Sequence, residues 1–215
     1  MTTKNFLLAK KKGMTQIFRE DGSVVPVTVL DVSDCAITML RTPERDSYSA
    51  VQVGLKQARD KHVAKPQRVA AEKAGVKNYK SHCEFRVDSV EGFELGQELG
   101  ADVFTVGEVI DISGKSKGRG FAGSIKAHGF RRGPESHGSQ TVRAPGSIGQ
   151  CAYPGRVFKG TRMAKHYGNS RFTTKNTVVE GIDVERGLLL VRGGVPGPPN
   201  GLIQVSTART GVQPK

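Results

Sequence analysis

Apolar and polar positions alternate in short runs toward both ends of the chain, whereas the middle follows neither a strand nor a helix period. Residues 14–18, 24–32, 36–40, 50–55, 83–87 and 105–112 are rich in β-branched and aliphatic side chains at the two-residue spacing of a half-buried strand. Residues 177–184, 188–191 and 202–205 are further short strand candidates. Asp21-Gly22 separates the first two runs as a hairpin turn does, and Glu185-Arg186-Gly187 separates 177–184 from 188–191. Pro26 offers no N–H to a ladder, so the second strand is expected to have a free edge or a bulge there. Many short strands at this spacing predict a mainly β fold, a small closed antiparallel barrel or a sandwich.

One helix interrupts the strands. Pro66 sits well in a first turn, residues 67–74 continue it and Gly75 stops it. The basic stretch from about 60 to 80 reads as a short helical insertion, within an interruption of about 57–100. Its charge reads as a solvated face ahead of a second RNA site.

Residues 115–176 are different in kind. They hold thirteen Lys or Arg against one carboxylate, Glu135, for a net +12, and 11 of the 27 glycines. The other 153 residues carry 20 basic and 19 acidic side chains. Nearly all of the chain's +13 therefore lies in under a third of its length. Phe121, Phe130, Ile148, Phe158 and Phe172 are scattered among Gly, Ser, Arg and Lys, too thinly to offset the entropy of ordering the segment. Alone in water it is expected to lack structure beyond a short helix at about 121–127. Strands on both sides of it are needed to complete one sheet. A body of residues 1–114 and 177–215 is thus expected to carry it as a long loop, functional as such loops usually are.

The charge imbalance attracts polyanions, nucleic acid first and an anionic membrane surface second. No stretch has the length of a membrane-spanning helix. Phe6-Leu7-Leu8-Ala9 is too short for a signal-peptide core and runs into Lys10-Lys11-Lys12, so the chain is expected to be intracellular and not membrane-bound. Cys35, Cys83 and Cys151 are distant and odd in number, and no CxxC occurs. His82-Cys83 is a poor start to a tetrahedral metal site, so neither a metal nor another cofactor is expected.

Two nucleotide-binding patterns fail on inspection. Gly118-Arg119-Gly120-Phe121-Ala122-Gly123 fits G-x-G-x-x-G, but a dinucleotide fold needs an acid about 20 positions on, and none follows Glu135 before Glu180. Gly114-Lys115-Ser116 resembles the end of a Walker loop whose first glycine would fall on Val109. His128, His137 and His166 have no neighbouring nucleophile or carboxylate, and nothing converges as an active site does, so no catalysis is expected.

The glycines have a better use against RNA: they let backbone approach phosphate closely and leave its N–H open. Interleaved with Lys115, Lys117, Arg119 and Lys126 they make a chain that can lie against RNA. Arg131, Arg132 and Arg143 follow, then Arg156, Lys159 and Arg162, then Lys165 and Arg171; arginine adds bidentate phosphate contacts and stacking on bases. Tyr153 and Tyr167 are further stacking candidates.

Five blocks in order carry a resemblance. They are Lys12-Gly13-Met14-Thr15-Gln16-Ile17-Phe18, then Ser113-Gly114-Lys115-Ser116-Lys117-Gly118 running on to Gly123, then Pro145-Gly146-Ser147-Ile148-Gly149-Gln150. Arg156-Val157-Phe158-Lys159-Gly160-Thr161-Arg162-Met163-Ala164 follows, and Leu188-Leu189-Leu190-Val191 with Gly194-Val195-Pro196-Gly197 closes the set. Together they resemble the bacterial-type L-three family of large-subunit ribosomal proteins. Phe6 and Ala9 stand where many members have glycine, and Ala127 and Ala144 where basic residues are frequent. The resemblance implies a six-stranded barrel like the second domain of elongation factors, an insertion in its first half and a long extension. It further implies a structural role in the large subunit, contact with large-subunit rRNA and neighbouring ribosomal proteins, and early assembly in the cytoplasm. The extension tip, residues 145–150, would approach the peptidyl transferase centre. Gln150 would be the side-chain amide that a glutamine methyltransferase converts to N5-methylglutamine. A free RNA chaperone or DNA-compacting protein and a nucleotide-dependent enzyme remain the competing readings.

Overall fold

The computed structural model describes residues 5–210. The strands are Phe6–Phe18 (β1), Val24–Asp31 (β2), Cys35–Arg41 (β3), Ala50–Gln57 (β4), Tyr79–Arg86 (β5) and Val109–Lys115 (β6). Two-residue strands Phe121–Ala122 (β7) and Lys165–His166 (β8) precede Arg171–Asp183 (β9), Leu188–Arg192 (β10) and Leu202–Thr207 (β11). Three α-helices, Pro43–Asp46 (α1), Lys65–Ala74 (α2) and Ser124–His128 (α3), and two short 3-10 helices, Asp60–His62 and Ala101–Val103, complete the regular structure among the described residues. The chain is mainly β.

It divides into two compact units, residues 1–115 with 171–215, and residues 116–170. In the first, β1, β11, β6, β9, β10 and β2 pair antiparallel in that order, and the pairing of β2 with β1 closes the ring into a barrel. β3, β4 and β5 form a separate antiparallel sheet. The single sheet expected from the strand pattern is therefore two. Residues 1–4 and 211–215 of the expected body lie outside the described residues.

The two sheets share one apolar core, and β1 shows why. Phe6, Leu7, Leu8 and Ala9 are all buried, so this stretch is covered on both faces. Leu7 and Ala9 pair opposite Val205 and Ile203 inside the barrel. Alternation turns Phe6 and Leu8 the other way, and Phe6 stacks on Phe85 of β5 at 4.8 Å between ring centroids. A run without alternation was thus the start of a thirteen-residue strand, expected only from residue 14. The outer edge of β3 is covered by residues 96–99: the Ile37 N–H donates to the Gln97 carbonyl at 2.9 Å and the Leu99 N–H to the Cys35 carbonyl at 2.8 Å.

Other elements shift in detail. The first hairpin has a five-residue connection, closed where the Arg19 N–H donates to the Ser23 carbonyl at 3.0 Å. Pro26 lies one residue past the last β2–β10 pair, Val27 with Arg192, so its missing N–H leaves no ladder partner stranded. α2 ends at Gly75, which has φ +68°. The expected strand at 105–112 begins only at Val109, because residues 105–108 form a turn in which the Glu108 N–H donates to the Thr105 carbonyl at 3.1 Å. β5 starts at Tyr79, inside the stretch expected to be helical to residue 80. The four-residue α1 has no apolar period to announce it. Lys115 and residues 171–176, expected in the irregular segment, are strand instead: Lys115 pairs with Arg171 and Ser113 with Thr173, whose hydroxyl oxygens lie 2.7 Å apart.

Candidate nucleic-acid interface

The second unit begins as two antiparallel arms. The Ser116 N–H donates to the Ser170 carbonyl at 2.9 Å, the Arg119 N–H to the Tyr167 carbonyl at 2.8 Å and the Tyr167 N–H to the Gly120 carbonyl at 2.9 Å. β7 and β8 continue the ladder, Phe121 opposite His166 and Ala122 opposite Lys165. The arms come this close because Gly168, at φ +76°, has no side chain: a β-carbon there would overlap the Lys117 carbonyl oxygen.

Beyond the arms lies α3, with Ala122 and Ser124 buried at its start. It is shorter than the expected 121–127 helix because residues 121–122 serve the ladder. The His128 ring nitrogen Nε2 is 3.0 Å from the Met163 carbonyl oxygen and ties the helix end to the returning strand. Farther out, the Gly133 N–H donates to the Val142 carbonyl at 2.9 Å and closes a small loop. Little apolar surface is buried here, and backbone bonds and turns hold the unit.

The side chains the sequence singled out are displayed outward. Lys115, Lys117, Arg119, Lys126, Arg131 and Arg132 are exposed, as are Arg143, Arg156, Lys159, Arg162, Lys165 and Arg171. Residues 116–170 carry ten Lys or Arg and the single carboxylate of Glu135, which pairs with Arg132. Arg171 belongs to the barrel unit, where its Nη2 donates to Gln204 Oε1 at 3.0 Å. The other basic groups crowd positive charge onto a water-facing surface, which a polyanion relieves.

Apolar groups are interleaved with that charge. Phe121 and Tyr153 are 78% and 87% exposed, and Phe158 is exposed as well, an unusual outlay of aromatic surface unless something stacks on it. The Arg119 guanidinium lies over the Tyr167 ring at 5.5 Å and that of Arg156 over Phe158 at 5.2 Å. Both arrangements present a flat cation–aromatic pair of the sort that accepts a base.

Pro145, Gly146, Ser147, Ile148, Gly149 and Gln150 form one exposed stretch. Gly146 has φ +80°, and the Ser147 hydroxyl donates to the Gly149 carbonyl at 2.9 Å, so the turn is braced locally. Gln150 is open to solvent. No group in the stretch is buried beside a charge that would tune it for proton transfer.

Elsewhere the tempting residues resolve into structural ones. His82 and Cys83 are adjacent on β5 and so point to opposite faces, where they cannot meet one ion. Burial lowers the His82 pKa, while Cys83 Sγ accepts from Gln204 Nε2 at 2.7 Å. Among the described residues no helix is long and apolar enough to cross a membrane. One grouping had no sequence signal: Lys10, Lys56 and Lys80, far apart in the chain, surround a single cavity on the barrel unit.

The chain matches the family model described as Ribosomal protein L3 over residues 2–185. It is 49% identical to the large ribosomal subunit protein uL3 of Alkaliphilus metalliredigens, over 94% of this chain and 96% of that one. It is likewise 49% identical to the protein of that name from Thermobifida fusca, over 98% and 99% of the two chains. With the Thermosipho africanus protein of the same name it shares 48% identity over 95% and 98%.

Proposed function

The chain belongs to the ribosomal protein L3 family, and we propose accordingly that it is a structural constituent of the large ribosomal subunit that binds large-subunit rRNA through residues 115–176. One observation carries the RNA reading: the ten Lys and Arg of residues 116–170 are all exposed, in the same unit as exposed Phe121, Tyr153 and Phe158 and a single carboxylate. Phosphate contacts supply affinity on such a surface, while aromatic and arginine faces accept unstacked bases.

The ring of six strands supports a finer reading, a barrel like the second domain of elongation factors. In this reading residues 145–150 approach the peptidyl transferase centre and organise rRNA there without doing chemistry. Gln150, exposed beside a glycine, is the amide offered to a glutamine methyltransferase. The protein joins early in cytoplasmic assembly and contacts neighbouring ribosomal proteins.

Sedimentation decides the main point. The protein stays with the large subunit through a high-salt sucrose gradient if it is a subunit constituent. Release into the free RNA or soluble fraction under those conditions would replace this reading with that of a free RNA chaperone.

A further inference from the structure

We propose that the free edge of β1 at residues 13–18 takes an added β-strand, and that the strand is an extended apolar segment of a neighbouring protein in the large subunit. The kind of neighbour rests on the function proposed above; the edge itself rests on geometry. β1 pairs with β11 only over residues 6–10, whereas its pairing with β2 runs on to Phe18 opposite Val24. β2 in turn leaves β10 after Val27. The end of this hairpin therefore stands beyond the barrel ladder, and among the described residues 13–18 pair on one side only.

The register says which groups are open. The Arg19 N–H donates to the Ser23 carbonyl and so points into the hairpin, and alternation turns the amides of Phe18, Gln16 and Met14 outward. The second strand agrees: Pro26, opposite Gln16, turns its carbonyl away from β1 and accepts from the Gly193 N–H at 2.8 Å. The N–H and C=O groups of Met14, Gln16 and Phe18 thus line the edge at ladder spacing. The pleat puts the side chains of the same three residues on one face, beside Val24 and Pro26 of β2. Met14, Phe18 and Val24 are 55%, 68% and 51% exposed, and Pro26 is exposed as well. An apolar face beside an open ladder suits strand addition, in which main-chain bonds supply the hold and alternate side chains the choice of partner.

Charge identifies the occupant as protein. Residues 13–18 and 23–26 contain no charged side chain. The cations that bracket residues 13–18 are engaged, Lys12 with Asp31 at 3.0 Å and Arg19 with both Glu180 oxygens at 2.8 Å, and Glu20 and Asp21 stand in the turn. The hairpin end therefore offers a nucleic-acid backbone no uncommitted ammonium or guanidinium. A strand this short does not bury the roughly 1,200 Å² of a stable protein pair, so it would not hold a second copy of this chain by itself. A neighbour kept in place by other contacts, as in an assembled particle, meets that requirement.

The test puts the photo-crosslinker p-benzoylphenylalanine in place of Phe18 in the full-length chain, in cells, and large subunits are purified and irradiated. The expected adduct is protease-sensitive and maps to one extended segment of one other protein. Gln16→Pro in the same chain removes an N–H of the free edge and none from the β1–β2 ladder, so the yield of adduct should fall about fivefold or more. The Tm of the free protein should stay within about 3 °C. Should Gln16→Pro not fold, Met14→Asp serves instead: it puts a charge on the exposed apolar face, leaves the fold alone and should lower the yield likewise. An adduct with rRNA, no adduct, or a yield that neither variant moves overturns the strand addition and leaves the ribosomal function standing. A crosslink to a second copy of the chain overturns it too. A chain that is absent from the purified subunits removes the function proposed above, and this inference falls with it.

Discussion

Neutralising the basic unit offers the most quantitative check on how it binds. Lys126, Arg143, Lys159 and Arg162 are exposed and take part in no ion pair among the described residues. Arg132 is a poorer choice, since Glu135 already occupies it, and Arg171 is held by Gln204. If about half of the thirteen basic groups in residues 115–176 meet phosphate, the parent slope of log K against log salt should be roughly −5. Changing the four chosen residues to Gln removes at most four contacts, and so about 3 of that slope. Near 0.15 M salt each lost contact costs about fourfold in affinity, giving roughly 200-fold for the set, or about 3 kcal/mol. Stability should barely move, because exposed substitutions away from special backbone stay within about 0.5 kcal/mol. Filter binding to a large-subunit rRNA transcript across a salt series, with a melting curve for each protein, measures both quantities. A slope change under about 1 with the fold intact would mean that these charges are merely solvated and that RNA is held elsewhere.

Four shorter predictions follow from the same structure. Gly54→Ala should destabilise the protein by about 1–3 kcal/mol in urea unfolding, because the new β-carbon would lie 2.5 Å from Tyr79 Cγ and 2.7 Å from Thr38 Cγ2 in the three-stranded sheet; a loss within 0.5 kcal/mol would show that Tyr79 yields freely. In free protein, trypsin should cut first after Arg131, Arg143 or Arg156, with rRNA protecting those bonds, whereas equal resistance of residues 116–170 and the barrel unit would contradict folding on RNA. Peptide mass spectrometry of purified ribosomes should place one added methyl on Gln150 where the modifying enzyme is present, and an unmodified peptide would remove that assignment. Replacing Ser147 or Gly149 with tyrosine should alter chemical probing of the peptidyl transferase centre and sensitivity to drugs that bind there while subunits still assemble; unchanged probing would put the tip elsewhere.

Much of this protein was legible from local pattern. Alternation located most strands, turn chemistry placed the hairpins between β1 and β2 and between β9 and β10, and Pro66 with Gly75 bracketed α2. Charge density marked the basic segment, because a stretch with thirteen cations and one carboxylate cannot build a core, whatever surrounds it. Its arginines and lysines were therefore candidates before any coordinate was known. Each of these signals is short-range: the residues that produce it are neighbours in the chain.

What tertiary structure decided is the set of properties that depend on pairing across long separations. Phe6-Leu7-Leu8-Ala9 lacks alternation because β1 is covered by the barrel interior on one side and by β5 on the other, and no local pattern says that a second sheet exists to cover it. Residues 171–176 look like their basic neighbours, yet they are strand because β6 offers them a partner from Gly114 and Lys115. The spread of one apolar alternation over two sheets was equally invisible, since period two gives the face of a strand and never its neighbour. The same holds for Lys10, Lys56 and Lys80. Each reads alone as an ordinary solvated lysine, and only the packing of β1 against the separate sheet of β4 and β5 brings the three side chains around one recess.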